Sequence, residues 1–147
     1  MTTLKMLLKA KGHHVWSVHP DDTVLDAIKM LAEKDIGALL VIKDDKPVGI
    51  FTERDYARNV YLKGKSSLET AVRDVMVAPV ICVSPDQSVN DCMALMTKKR
   101  FRHLPVMDGD ELVGMVSIGD LVKSIIADQQ FEIEQMEHYI HSYPWRR

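Results

Sequence analysis

Two acidic residues stand out for what they could hold. Asp55 and Asp120 each lie three residues after a hydroxyl side chain, in Thr52-x-x-Asp55 and Ser117-x-x-Asp120. That spacing is a capping box, in which hydroxyl and carboxylate exchange bonds with backbone N–H groups at a helix start. An ionised carboxylate also accepts two hydrogen bonds at once, which suits a pair of adjacent hydroxyls. A helix N-terminus also favours a nearby phosphate, so capping and binding are compatible. Arg54 precedes Asp55, and a guanidinium can grip phosphate through two parallel bonds. Gly119, which precedes Asp120, offers no side chain. Arg102 and His103 follow Lys98, Lys99 and Arg100. The helix dipole accounts for a basic C-terminus at Lys98 to Arg100, whereas Arg102 and His103 enter the next strand.

Other chemistry is poorly supported. His13, His14 and His19 lie close in sequence, but a metal usually needs three or four ligands in fixed geometry, and no Cys or carboxylate cluster has that spacing. His138 and His141 lie three apart on an expected helix, where solvent exposure is the better expectation. Cys82 and Cys92 are not in a Cys-x-x-Cys pair and read as small buried hydrophobes. There is no P-loop, no Gly-x-Ser-x-Gly and no supported nucleophile–base pair.

The elements that position these residues are duplicated. Residues 15–58 overlie residues 80–123 without a gap, and 13 of the 44 pairs are identical; chance would give about three. Each copy reads as a strand (15–18, then 80–83), Pro-Asp, a helix, two strands joined by a polar turn, and a second helix beginning near Asp55 or Asp120. Val24, Ala27, Ile28 and Leu31, like Val89, Cys92, Met93 and Met96, mark one face of an amphipathic helix. Thr23-x-x-Asp26 and Ser88-x-x-Asp91 resemble capping boxes at their starts. Asp108-Gly109 is a hairpin signal. Upstream, Leu7-Leu8 lines up with Val72-Arg73, each in a short helix. One such unit is too small to bury both faces of its sheet, so the copies should pack on each other.

Gly49-Ile50-Phe51-Thr52-Glu53-Arg54-Asp55 and Gly114-Met115-Val116-Ser117-Ile118-Gly119-Asp120 resemble the Gly-h-h-Thr/Ser-x-x-Asp signature of CBS domains, named after cystathionine β-synthase. Val-x-Pro-Asp after the first strand and Arg102-His103-Leu104-Pro105-Val106 at the second also resemble that family. A tandem pair is a Bateman module. The resemblance covers about residues 5–127. It implies an α/β (α+β) fold of two β-α-β-β-α repeats packed sheet to sheet with pseudo-twofold symmetry. Expected bounds are 5–62 and 71–127 for the repeats, 63–70 for a linker and 128–147 for a helical extension. The resemblance also implies adenosine ligands (AMP, ADP, ATP, S-adenosylmethionine or NAD) in clefts between the repeats. Asp55 and Asp120 would then hold ribose. Thr52, Arg54, Ser117, Gly119, Arg102 and His103 would face phosphate, and His14, Val15, Ser17, Ala38, Val80, Cys82 and Leu104 would face adenine. A single Arg102 near one phosphate favours a monophosphate.

Composition narrows the partners. Hydrophobic residues make up 46%, the formal net charge is -2 and the pI is about 6.3. A real core can form, and the basic balance expected of a duplex nucleic-acid binder is missing. Neither a membrane span nor a signal peptide is expected, so the reading is cytoplasmic. From about Asp120 to Ile140 a helix is expected, with Val122, Ile126, Gln129, Ile133, Met136 and Ile140 at heptad-like spacing. Pro144 would stop it within Tyr143-Pro144-Trp145-Arg146-Arg147. The stripe suits a homodimer seam or packing onto the chain itself. The expected function is a non-enzymatic regulatory module that passes adenine-nucleotide occupancy to a separate partner protein. The alternatives are a ligand-free dimerisation scaffold and, less favoured, a nucleotide-processing enzyme.

Overall fold

The computed structural model describes residues 1–141, with side chains to His138. The elements run α1 (Leu4–Lys11), β1 (Ser17–Val18), α2 (Val24–Lys34), β2 (Ala38–Lys43), β3 (Lys46–Thr52), α3 (Glu53–Tyr56), α4 (Val89–Lys99), β4 (His103–Asp108), β5 (Glu111–Ser117) and α5 (Ile118–His141). A π turn (Ala57–Tyr61) continues α3, and a 3-10 turn (Val72–Asp74) opens the second repeat. The two repeats expected from the offset are both present.

In the first repeat β1 runs parallel to β2, and β2 pairs antiparallel with β3. The β2–β3 turn places Asp44 and Asp45 at positive φ (51° and 63°), the pairing a tight primed hairpin turn requires. The second repeat keeps the β4–β5 hairpin in matching register, with Gly109 at φ 62° in its turn. Its expected first strand contracts to a single parallel bridge, Val83 to Val106. In the first repeat Leu40 N donates to the Trp16 carbonyl, whereas its partner at the offset of 65 is Pro105, which has no N–H to give.

The helix faces follow the expected periodicity. Val24, Ala27 and Leu31 are buried on α2, and Val89, Cys92 and Met96 on α4. Thr23 and Ser88 cap these helices by accepting from the backbone N–H of Asp26 and Asp91. Both helices end on a left-handed residue that is not glycine, Asp35 (φ 53°) and Arg100 (φ 61°), which are partners at the offset of 65.

The leading segments are exchanged between the repeats. Leu4, Leu7 and Leu8 of α1 enter the core of the second repeat with Val89, Cys92, Leu104 and Leu121. Val72 and Val75, at the start of the second repeat, complete the core of the first with Val24, Leu39 and Phe51. Backbone bonds fix each crossing: Leu4 donates to Gln87 and Lys5 to Pro85, while Val72 donates to Asp22 and Arg73 to Pro20. Two glycines allow the close approach. A Cβ on Gly114 would fall 2.7 Å from Leu8 Cδ2, and one on Gly49 would fall 2.4 Å from Met76 Sδ. A third cluster joins the sheets, with Ala38, Leu40 and Ile50 against Val15, Val80, Leu112 and Met115.

Candidate functional site

β3 ends at Thr52, and the chain turns at once into α3. Thr52 Oγ1 accepts from Asp55 N at 3.1 Å, and Asp55 Oδ2 accepts from Thr52 N and from Thr52 Oγ1, both at 3.0 Å. The capping box expected here is complete. It fixes the carboxylate with Oδ2 engaged, while among the described residues Oδ1 accepts no hydrogen bond. Asp55 is buried to 9% exposure. Burial pushes its carboxyl above the usual carboxylate value, and the Thr52 bonds with the nearby Arg54 and Arg58 oppose that shift without cancelling it.

Asp55 lines a cleft of about 470 Å³ between the repeats. Thr52, Arg54 and Gly37 come from the first repeat. Val77, Pro79, Val80 and Ile81 come from the segment that replaces the second repeat's first strand. Arg100, Phe101, Arg102 and His103 come from the turn between α4 and β4. Among the described residues, none of Arg54, Arg100 and Arg102 is in an ion pair. Three unpaired guanidiniums and one carboxylate make this cleft a place for an anionic ligand with hydroxyl donors. His103 is held below its ordinary value, first by burial and then by the charges of Lys11 and Arg102, against an upward pull from Asp120. It therefore favours the neutral imidazole.

At the matching place in the second repeat, Ser117 N donates to Asp120 Oδ2 at 2.8 Å and Asp120 N to Ser117 Oγ at 3.1 Å. Here α1 intervenes. Lys11 Nζ lies 2.6 Å from Asp120 Oδ2 and donates to the Met115 carbonyl at 2.7 Å. His13 Nδ1 bonds the Val113 carbonyl at 2.8 Å. Burial raises the Asp120 carboxyl, but the hydrogen bonds from Lys11 and Ser117 and the Lys11 charge together hold it below the usual carboxylate value.

The structure thus brings Asp55, Thr52, Arg54, Val80, Arg102 and His103 into one cleft and leaves Asp120, Ser117 and Gly119 at the opposite repeat. The remaining adenine candidates lie off the first cleft's wall. Leu104 is fully buried in the second repeat's core, and Ala38 is buried between the sheets. Val15 flanks that inter-sheet cluster, and Ser17 is paired to Leu40 in β1. His14 stacks edge-on against Trp16, with ring centroids 4.2 Å apart. Cys92 is buried as expected, its thiol pushed up to about 11 by burial and by the Asp91 charge. Cys82 is exposed, contrary to expectation. Arg100, assigned by sequence to a helix terminus, also lines the cleft: its left-handed conformation ends α4 and turns the chain toward β4. Its offset from Asp35, which ends α2, was a signal that the chain turns there. Lys11 was missed too, because nothing in its spacing ties it to Asp120.

The CBS domain profile matches residues 12–61 and 72–127. The chain belongs to the CBS domain family. It is 56% identical to a protein with CBS domains from Burkholderia ambifaria MC40-6, with a TM-score of 0.83 over 87% of this chain and 96% of that one. It is 38% identical to the CBS domain-containing protein CBSX3, mitochondrial, of Arabidopsis thaliana, over 95% of this chain and 72% of the relative. It is 30% identical to the CBS domain-containing protein YhcV of Bacillus subtilis, over 78% of this chain and 81% of the relative. The chain is a tandem CBS pair, a Bateman module of the regulatory kind. Among the described residues no three His, Cys, Asp or Glu side chains gather as a metal would require, and no helix is long and apolar enough to cross a membrane.

Proposed function

We propose that this CBS pair senses an adenine nucleotide in the Asp55 cleft and passes its occupancy to a partner protein. The reading is carried by one constellation: Thr52, Arg54 and Asp55 of the first repeat facing Arg100, Arg102 and His103 of the second across about 470 Å³. Asp55 supplies a fixed carboxylate for ribose hydroxyls, the arginines supply phosphate contacts, and Val77, Pro79, Val80 and Ile81 supply an apolar wall for a base. Arg100 joins the expected Arg54 and Arg102, and three guanidiniums shift the preferred ligand from a monophosphate toward ADP or ATP; NAD, with two phosphates, fits the same argument. The related fold of the CBS domain pair of protein MJ0100, 24% identical, was solved with 5′-methylthioadenosine and S-adenosyl-L-methionine.

Because the cleft is walled by both repeats, a ligand that binds one relative arrangement better shifts the equilibrium toward it. The module is read as non-enzymatic: among the described residues Asp55 is the one carboxylate lining the cleft, and Thr52 already donates its hydroxyl to it. A homodimer through α5 accompanies this reading. Val122, Ile126, Ile133 and Met136 are exposed along the helix at heptad-like spacing; Ile140 of that stripe and the tail from Tyr143 to Arg147 lie outside the residues whose side chains are described.

The test is thermal unfolding of the pure protein with AMP, ADP, ATP, NAD and NADH, with GMP as the control. Ligand at 100 times its dissociation constant adds about 2.7 kcal/mol of stability. ADP or ATP should stabilise most. No shift with any adenine ligand, confirmed by calorimetry, would leave a dimerisation scaffold.

A further inference from the structure

The repeat that carries Asp120 has the same capping geometry as the first, yet its carboxylate is already engaged by a cation from another element. We infer that Lys11 takes the place of a second ligand at the Asp120 carboxylate, which favours nucleotide binding at the Asp55 cleft and makes the module in effect a single-site receptor. The inference rests on the nucleotide reading above and adds what that reading leaves open, the number of sites per chain.

The geometry carries it. Lys11 is the last residue of α1, a helix anchored by Leu4, Leu7 and Leu8 in the second repeat's core, so the ammonium is delivered from a fixed base. It contacts Asp120 Oδ2 at 2.6 Å and the Met115 carbonyl at 2.7 Å. That oxygen also accepts from Ser117 N, so both of its lone-pair positions are filled. A ribose that needs both carboxylate oxygens must displace Lys11. In the first repeat the oxygen is shared only with Thr52, whose hydroxyl can rotate toward a ligand.

The edge of the sheet shows the same substitution. Ile50 and Val77 exchange backbone hydrogen bonds beside the Asp55 cleft. Met115, the partner of Ile50 at the offset of 65, gives its carbonyl to Lys11 Nζ instead. By the same offset Lys11 corresponds to Met76, an uncharged side chain of similar length.

Displacing Lys11 breaks a part-exposed ion pair, worth up to about fivefold in an equilibrium constant, and a hydrogen bond worth a comparable factor. A second site at Asp120 is therefore weakened by up to about 25-fold. Replacing Lys11 by methionine removes a cation, which by charge alone weakens any anionic ligand. A gain of binding would consequently run against the general electrostatic effect.

The experiment is titration calorimetry of the full chain with ATP and ADP, for the wild type, Lys11→Met, and Lys11→Met combined with Asp55→Ala or with Asp120→Ala. Lys11→Ala serves if the methionine variant does not fold. The expected result is one site in the wild type at free nucleotide up to about twice the first dissociation constant, two sites in Lys11→Met, and one in each double variant. Two sites in the wild type, or one in both wild type and Lys11→Met, overturns the inference and leaves the nucleotide reading standing. No binding to any of the four proteins overturns both.

Discussion

At Asp55 the carboxylate faces an open cleft ringed by Arg54, Arg100 and Arg102; at Asp120 the same position of the repeat faces Lys11, and its flanking residue is Gly119. The backbone geometry of the two is almost the same. Thr52 N reaches Asp55 Oδ2 at 3.0 Å and Ser117 N reaches Asp120 Oδ2 at 2.8 Å, and the return bond is 3.1 Å in both. Duplication has therefore kept the capping box, which the fold needs at each helix start, and let the surrounding charges diverge. A conserved clamp geometry does not make two equivalent sites. What decides availability is the next element to arrive, and that element comes from the opposite end of the duplicated unit.

The largest expected effect is on the platform that delivers Lys11. Leu8 is 1% exposed in the second repeat's core and packs over Gly114. Leu8→Ala should cost about 2–5 kcal/mol, measured by urea unfolding. A loss under about 1 kcal/mol would mean that α1 is not held by the second repeat, and the contrast between the clefts would lose its structural basis. Next in size is the ligand-linked stabilisation of about 2.7 kcal/mol at 100 times the dissociation constant. Asp55→Ala should abolish it and Asp120→Ala should leave it nearly intact. Equal loss in both variants would break the comparison outright.

This contrast marks how far the sequence could be read. The two repeats, the α2 and α4 faces, both hairpins and the pairing of Thr52 with Asp55 and Ser117 with Asp120 were legible because they are local periodicities repeated at one offset. The exchange of α1 and the 72–74 turn between repeats was not, because an amphipathic segment does not state which core it enters. Lys11 was unreadable for the same reason: its bond to Asp120 spans 109 positions. The missing strand before Val83 was hidden behind an apolar run, since hydrophobicity alone does not reveal that Pro105, in the place of Leu40, removes a ladder donor. Arg100 ends α4 as expected, and its second place on the cleft wall was hidden because a basic helix terminus and a basic cleft wall look alike in one dimension.

Arg54 sharpens the comparison at smaller scale. Its partner Gly119 contributes no side chain, so phosphate affinity should depend on the first repeat's flank. Arg54→Ala removes a charge-assisted contact worth about 1.5–3 kcal/mol, which is about 10- to 150-fold in ATP affinity. Adenosine, without phosphate, should be affected less than about threefold. Calorimetry with both ligands separates the outcomes; a parallel loss for adenosine would assign Arg54 to holding the cleft's shape.

The smallest effect is the titration of the two clamps, and it has opposite signs. Asp55 holds its proton more tightly folded than unfolded, because burial outweighs the Thr52 bonds and the charges of Arg54 and Arg58. Its contribution favours the fold at low pH and is lost as pH rises from 3.8 through the folded value. Asp120 lies on the other side of 3.8. Its contribution is present above 3.8 and is lost as pH falls below that through the folded value. Carboxyl-detected NMR titration of the ligand-free protein should place the Asp55 midpoint above 3.8 and the Asp120 midpoint below it. Both carboxylates keep some contact with water, so the swing in stability is modest and the midpoints are the sharper readout. Burial is the largest single influence on both groups, and Lys11 supplies much of what opposes it at Asp120. Lys11→Met should therefore raise the Asp120 midpoint toward that of Asp55. If the midpoint stays where it was, Lys11 is not what distinguishes the two clamps.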